Sequence, residues 1–305
     1  MHWVSWNVAL GALDKGGLGI GSLRASNLAL MYKWIWRIAL NPNAKWATII
    51  KLIHGPATGI ADLSPRQKGK VGNGRIVPFW LDEWCGNGTL ASRYPRLFHL
   101  EVNPACLVAE RRWKLADDGV FSVSVSRVAI DDMLLPSSAT ATRWFEYVPR
   151  KTNIFLWRLA IDRLPTRLKL SQKGLDIEDI GCASCHHGIE DADHVFFRCP
   201  IAIDIWRRIY IWINMDRPIP LFLSWQELIL WVDNLQDASE VKKKIMVIFA
   251  TSVWTIWKLR NSIIFGPSPI RKCGLFDFIC DMSFNWYCNR GRKSIYLNVW
   301  LLKPL

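Results

Sequence analysis

Apolar side chains recur at helical spacing in several separate stretches of the chain. Leu28, Met31, Ile35 and Ile38 fall three and four residues apart, which lines them along one face of a helix from about Leu23 to Leu40, closed by Asn41-Pro42. Trp46 to His54 has the pattern of a second, short helix. Asn153 to Leu164 reads as an amphipathic helix stopped by Pro165. Pro200 suits the first position of a helix running to about Ile213. Further helices are expected near Trp225–Leu235 and Val241–Asn261. The first half also carries shorter patterns. Gly72-Asn73-Gly74 signals a turn before a strand at Ile76–Leu81. Trp113–Leu115, Asp117-Asp118-Gly119 and Phe121–Val125 read as a hairpin. The pattern predicts a mainly α chain with small β hairpins (α+β). It divides into a helical connector over 1–70, a small β-containing segment over 71–135, a denser module over 140–215 and a C-terminal helical segment over 220–305. Pro136–Thr142, rich in Ser, Thr and Ala, is the candidate linker.

Composition narrows the class. Half of the 305 residues are hydrophobic, which excludes simple disorder and supplies a core. The length suggests about two domains. Most of the 18 Trp belong in a core or an interface. Lys and Arg outnumber Asp and Glu by 39 to 26, a net charge of +13 that suits RNA, DNA or an acidic surface as partner. The longest apolar run, Ile245 to Trp257 between Lys244 and Lys258, falls short of the roughly 20 residues that span a bilayer, so no membrane partner is expected. Val8–Leu13 is too short for a secretory signal and no basic residue precedes it. An intracellular location is expected, the nucleus among the compartments open to it. The eight Cys should then be reduced or metal-bound.

One cluster carries chemistry. Cys182-x2-Cys185-x8-His194-x4-Cys199 has the spacing of a tetrahedral site of three thiolates and one imidazole, the donor set that zinc takes in structural sites. Four protein ligands leave no open position for water, so such a site stabilises a fold and does no catalysis. The alternative is chance placement, since five of the eight Cys (Cys85, Cys106, Cys273, Cys280 and Cys288) lie outside the cluster as buried or free thiols. His186 and His187 are rival ligands, ranked below His194 because they abut Cys185 and would strain the loop.

Around this cluster the chain resembles a known family. Glu190-Asp191-Ala192-Asp193-His194-Val195-Phe196-Phe197-Arg198-Cys199-Pro200, followed by Trp206, is similar to the zinc-binding region downstream of reverse transcriptase in plant non-LTR (LINE-like) retroelements. Pro149-Arg150-Lys151, Phe155-Leu156-Trp157-Arg158 and Leu164-Pro165-Thr166 resemble the run that precedes it there. Gly16-Gly17-Leu18-Gly19-Ile20, Phe79-Trp80-Leu81-Asp82-Glu83-Trp84, Gly119-Val120-Phe121-Ser122-Val123 and Trp254-x2-Trp257-x2-Arg260-Asn261 extend the likeness in the family's order, over roughly Val4 to Phe265. The resemblance implies a fragment lying after a polymerase and before an RNase H region. It implies a segment that helps to hold template RNA or target DNA, with the polymerase or RNase H domain of the same element as further partners.

A polymerase site needs carboxylates that hold two metal ions. Leu115-Ala116-Asp117-Asp118 mimics the family's site on paper, but its neighbours match the hairpin downstream of it, and Asp131-Asp132 falls in a helical stretch. No enzyme activity is therefore expected. Gly16 to Gly21 is a turn or helix entry, with neither a strand before it nor a Gly-Lys-Ser/Thr after it. Arg143 to Lys173 holds eight basic residues against Glu146 and Asp162, and Arg150, Lys151, Arg158 and Arg167 are the candidate phosphate contacts, the alternative being a solvated helix face. Lys242-Lys243-Lys244 reads as an exposed helix start, and Trp254 and Trp257 as core. The expected function is a non-catalytic, zinc-binding, nucleic-acid-binding segment of a retroelement reverse transcriptase. The alternative is a zinc-stabilised protein-docking module with no specific nucleic-acid affinity.

Overall fold

The computed structural model describes residues 3–40, 44–54, 78–82, 88–99, 101, 103–106, 121–138, 140–214, 220–267, 271–291, 295–302 and 304–305. They divide into two compact units, Trp6–Ala141 and a second made of Met1–Ser5 with Thr142–Leu305. The described residues are mostly helical and contain no strand. None of their helices is long and apolar enough to cross a membrane.

The unit Trp6–Ala141 contains α1 (Trp6–Leu10), α2 (Leu23–Leu40), α3 (Lys45–His54), α4 (Leu90–Arg93), α5 (Pro95–Phe98) and α6 (Val123–Leu134). α2 packs along α6. Ala25 and Ala29 of α2 and Ser126 of α6 are buried, and side chains this small let helix backbones come close. The Asp131 carboxylate joins the two helices by accepting from the Ser22 hydroxyl (2.6 Å) and the Ser22 N–H (3.1 Å). Ser22 Oγ in turn accepts from Ala25 N–H and caps α2. Asp132 pairs with Lys15 at 2.5 Å. Both carboxylates thus hold helices in place. The glycine run before α2 is a turn. A Cβ on Gly17 would lie 2.0 Å from the Gly11 carbonyl oxygen, so only glycine fits there.

The expected β hairpins are not present among the described residues. Trp113–Leu115 and Asp117-Asp118-Gly119 lie outside them, but the second arm does not: Val123 starts α6. Ser122 stands before that helix with its carbonyl accepting from the N–H and Oγ of Ser126. Phe121-Ser122-Val123-Ser124-Val125 alternates like a strand, yet burial against α2 selects the helix. Of the Ile76–Leu81 strand, Phe79–Leu81 is a turn. Phe79 N–H donates to Cys106 O and Trp80 O accepts from Ala91 N–H, contacts to a loop and to a short helix.

The second unit holds α7 (Arg150–Ala160), α8 (Arg167–Gln172), α9 (Pro200–Ile213), α10 (Trp225–Asn234), α11 (Ser239–Phe265), α12 (Leu275–Gly291) and α13 (Leu297–Leu302). α7 begins earlier than its apolar pattern suggests because Asn153 bonds back to Phe145 and Val148. It ends before Pro165, where Asp162 takes a left-handed φ of 51°. α11 is the hub. It packs against α7, α9, α10 and α12. Ile245 to Val253 is buried without a break, as befits a helix covered on every side. The hydroxyls of Thr251 and Ser252 are satisfied by the carbonyls of Val247 and Ile248. Phe249 meets the rings of Trp206, Tyr210, Phe222 and Trp231, the nearest centroid 5.3 Å away. Phe249→Ala is expected to cost about 3–5 kcal/mol through the cavity it leaves. A lower urea midpoint with an unchanged slope is the measurement that checks it.

Candidate metal centre

Two segments build the cluster. The first is the turn from Gly181 to Ile189, whose ends meet as a single antiparallel bridge. Cys182 N–H donates to Gly188 O at 3.0 Å and His186 N–H donates to Cys182 O at 2.8 Å. His186 and Gly188 both take left-handed φ values, 59° and 74°. Gly188 has a second reason to lack a side chain. A Cβ there would lie 3.0 Å from Cε1 of His194.

The second segment is a wide, π-type turn, His194–Arg198, that leads into α9. Asp191 opens it by accepting from His194 N–H at 2.6 Å and by pairing both carboxylate oxygens with Arg198. Cys199 N–H reaches back to His194 O at 2.7 Å, which carries His194 and Cys199 to one side. Pro200 occupies the first turn of α9, as its sequence position predicts. Phe196 and Phe197 anchor the turn in the core, and Trp206 Nε1 donates to Phe196 O at 2.7 Å.

The structure brings Cys182, Cys185, His194 and Cys199 together, with one ligand atom from each lying within 4.8 Å of the others. Cys185 Sγ and His194 Nε2 are 3.3 Å apart. His186 and His187 are exposed and stand outside the cluster. Tetrahedral zinc, with Zn–S near 2.3 Å, places its ligand atoms about 3.7 Å apart, so closure needs shifts of about 1 Å or less. Among the described outlying cysteines, Cys106 and Cys280 are buried, Cys288 is half-buried and Cys273 is exposed; Cys85 lies outside the described residues.

The electrostatics favour thiolate at Cys182. Cys182 accepts from the N–H groups of Ser184 and Cys185, and Cys199 from those of Ile201 and Ala202 at the start of α9. His187 N–H points to Cys185 Sγ at 3.4 Å. The hydrogen bond from Cys199, with these amides, pulls the Cys182 thiol down to about 4. The same bond and burial push the Cys199 thiol up. The pair thus holds one negative charge readily and a second one poorly. A divalent cation removes that conflict, since each thiolate then faces a positive charge.

Glu190 ties this site to the hub, a link the sequence pattern does not reveal. Its side chain is fully buried. One oxygen accepts from Arg260 Nη2 (2.5 Å), Arg260 Nε (3.1 Å) and Arg167 N–H (2.9 Å), and the other from Ala183 N–H (3.1 Å) inside the Cys182–Cys185 turn. Arg260 is 2% exposed, sits 4.8 Å from the Trp257 ring centre, and also donates to Pro165 O and Asn261 Oδ1.

The four basic candidates separate. Arg150 and Lys151 are exposed on the first turn of α7, with Lys151 Nζ 5.7 Å from the Trp254 ring centre. Arg158 donates to Arg163 O. Arg167 braces the Gly181–Ile189 turn through Gly181 O (2.9 Å) and Asp179 (3.2 Å). Lys151 and Arg158 line one groove, whose lining does not include Arg150 or Arg167. Asp117 and Asp118 lie outside the described residues.

Residues 129–206 match the family described as zinc-binding in reverse transcriptase. The chain is 25% identical over 340 aligned positions to an Arabidopsis thaliana protein named "Putative ribonuclease H protein", a match covering 89% of this chain and 53% of that protein. The chain thus spans about half the length of this relative. No solved structure matches. Residues 129–206 are thus similar to a zinc-binding region of reverse transcriptases.

Elemental analysis of the purified chain is expected to find about one bound metal ion, lost in Cys182→Ser/Cys185→Ser together with helical signal. Glu190→Ala, which strands Arg260, is expected to cost about 3–5 kcal/mol, whereas Glu190→Leu with Arg260→Met costs less because neither charge is left buried alone. Denaturant midpoints of the three proteins decide this.

Proposed function

We propose that the ion is zinc, that Cys182, Cys185, His194 and Cys199 are its four ligands, and that the module is a non-catalytic nucleic-acid-binding part of a retroelement reverse transcriptase. The closed Cys3His set carries this reading. Three thiolates and an imidazole fill a zinc tetrahedron and leave no position at which the metal could activate water. When bound, the ion cross-links the Gly181–Ile189 turn to the His194–Cys199 turn. Each thiolate keeps its amide donors, and His194 contributes Nε2 beside Cys185.

The +13 charge and the exposed Arg150 and Lys151 support phosphate contact. Arg158 and Arg167 complete the proposed set. Template RNA or target DNA is the partner proposed, with the polymerase and RNase H domains of the same element beside it. The name of the Arabidopsis relative supports that setting. The segments 140–215 and 220–305 supply the module and its continuation. Asp131 and Asp132 are engaged by Ser22 and Lys15, which supports a role without polymerase chemistry.

RNA and DNA affinity, measured across a salt series, tests the proposal. A steep loss of affinity with rising salt, with a shallower slope in Arg150→Gln/Lys151→Gln, is expected. Affinity that barely responds to salt or to these substitutions would point instead to a zinc-stabilised protein-docking module. A primer-extension assay is expected to give no product.

A further inference from the structure

A groove of about 800 Å³ runs between α7 and α11 in the second unit. Lys151 and Arg158 line it from one face of α7, two turns apart. Trp254, Lys258 and Phe265 line it from α11, and Trp3 adds a ring. No acidic side chain lies in the lining, and of its four cations Lys151, Arg158, Lys258 and Arg260 only Arg260 is neutralised by a buried carboxylate, that of Glu190. Its rings are accessible at the rim, where Phe265 is 75% exposed. From Trp254 to Phe265 the helix rises about 16 Å, the length of about five stacked nucleotides.

Cations and rings are close together in this part of the unit. Lys151 Nζ is 5.7 Å from the Trp254 ring centre, and Lys173 Nζ is 4.4 Å from that of Trp3. A ligand that satisfies both must offer an anion and a flat π face a few ångströms apart, repeated along its length. A nucleotide chain has that geometry. Such rings can stack only on bases that are not already paired and stacked in a duplex. We propose that the α7/α11 groove binds single-stranded nucleic acid, with Lys151, Arg158 and Lys258 on phosphates and Trp254, Phe265 and Trp3 as stacking surfaces. This rests on the nucleic-acid reading above and adds a location and a strand preference to it.

The test uses the full chain loaded with zinc, labelled oligouridylate, and an RNA duplex of equal length, followed by fluorescence anisotropy over a salt series. Phe265→Ala is expected to weaken single-strand binding about fivefold or more at an unchanged salt slope, with duplex binding unaltered. Phe265→Trp is expected to keep the affinity. Lys258→Gln is expected to reduce the slope of log affinity against log salt by about 0.7. Both side chains lie at the groove surface, and equal zinc content with an unchanged circular dichroism spectrum verifies that each variant is folded. Single-strand binding that Phe265→Ala and Lys258→Gln leave unaltered, or that falls in step with duplex binding, overturns the groove while the wider nucleic-acid reading stands. A wild-type chain that binds neither probe at low salt overturns both.

Discussion

The Glu190–Arg260 pair is the constraint on which the second unit depends. A carboxylate and a guanidinium without access to water each carry a desolvation cost of several kcal/mol unless fully engaged. Here the engagement is nearly complete. Glu190 takes donors from Arg260, the start of α8 and the turn that bears Cys182. Arg260 spends its remaining N–H groups on Pro165 O and Asn261. Neither charge can be buried before the other is in place. The turn that bears Cys182 and the long helix α11 therefore have to form together.

That coupling explains how so polar a segment acquires order. Residues 181–191 bury little apart from Cys182, Ala183 and Glu190. Their shape comes from hydrogen bonds, two left-handed residues and a charge held from outside. The π turn has the opposite character. Val195, Phe196 and Phe197 are buried in the aromatic core, where Phe155, Phe196 and Trp257 meet ring to ring. The four donor side chains stand where the polar turn touches the apolar one. A cation between them closes the contact that packing alone leaves to a few hydrogen bonds.

Much of this was legible in the residues. The Cys–Cys–His–Cys spacing marks the cluster because a chain reversal brings such neighbours into reach whatever surrounds it. Pro200 announces α9 because its ring fixes a helical φ and lacks an N–H that the first turn would leave unpaired. The helices of the second unit follow from their apolar period. Other features were hidden for physical reasons. Phe121 to Val125 alternates like a strand, and only the partner α2 decides that Val123 onward is helical. Glu190 and Arg260 are 70 residues apart, and each alone looks like an ordinary surface charge. Gly188 has no periodic signature, because its requirement is the His194 ring beside it. The groove combines faces of two helices, and no linear motif spans both.

The recognisable signature and the foldable object have different edges. The family match closes at residue 206, on α9, after the last of the four donor side chains. Arg260 lies far beyond that edge. A chain cut after α9 would keep all four candidate ligands, yet it would leave the Glu190 carboxylate in the interior without its Arg260 partner. It would also remove the helix against which Phe196 packs. The unit of heredity that comparison detects is thus shorter than the unit of cooperativity. A chain that begins or ends at the signature's boundary would inherit the Cys3His cluster without the charge pair that holds its turn.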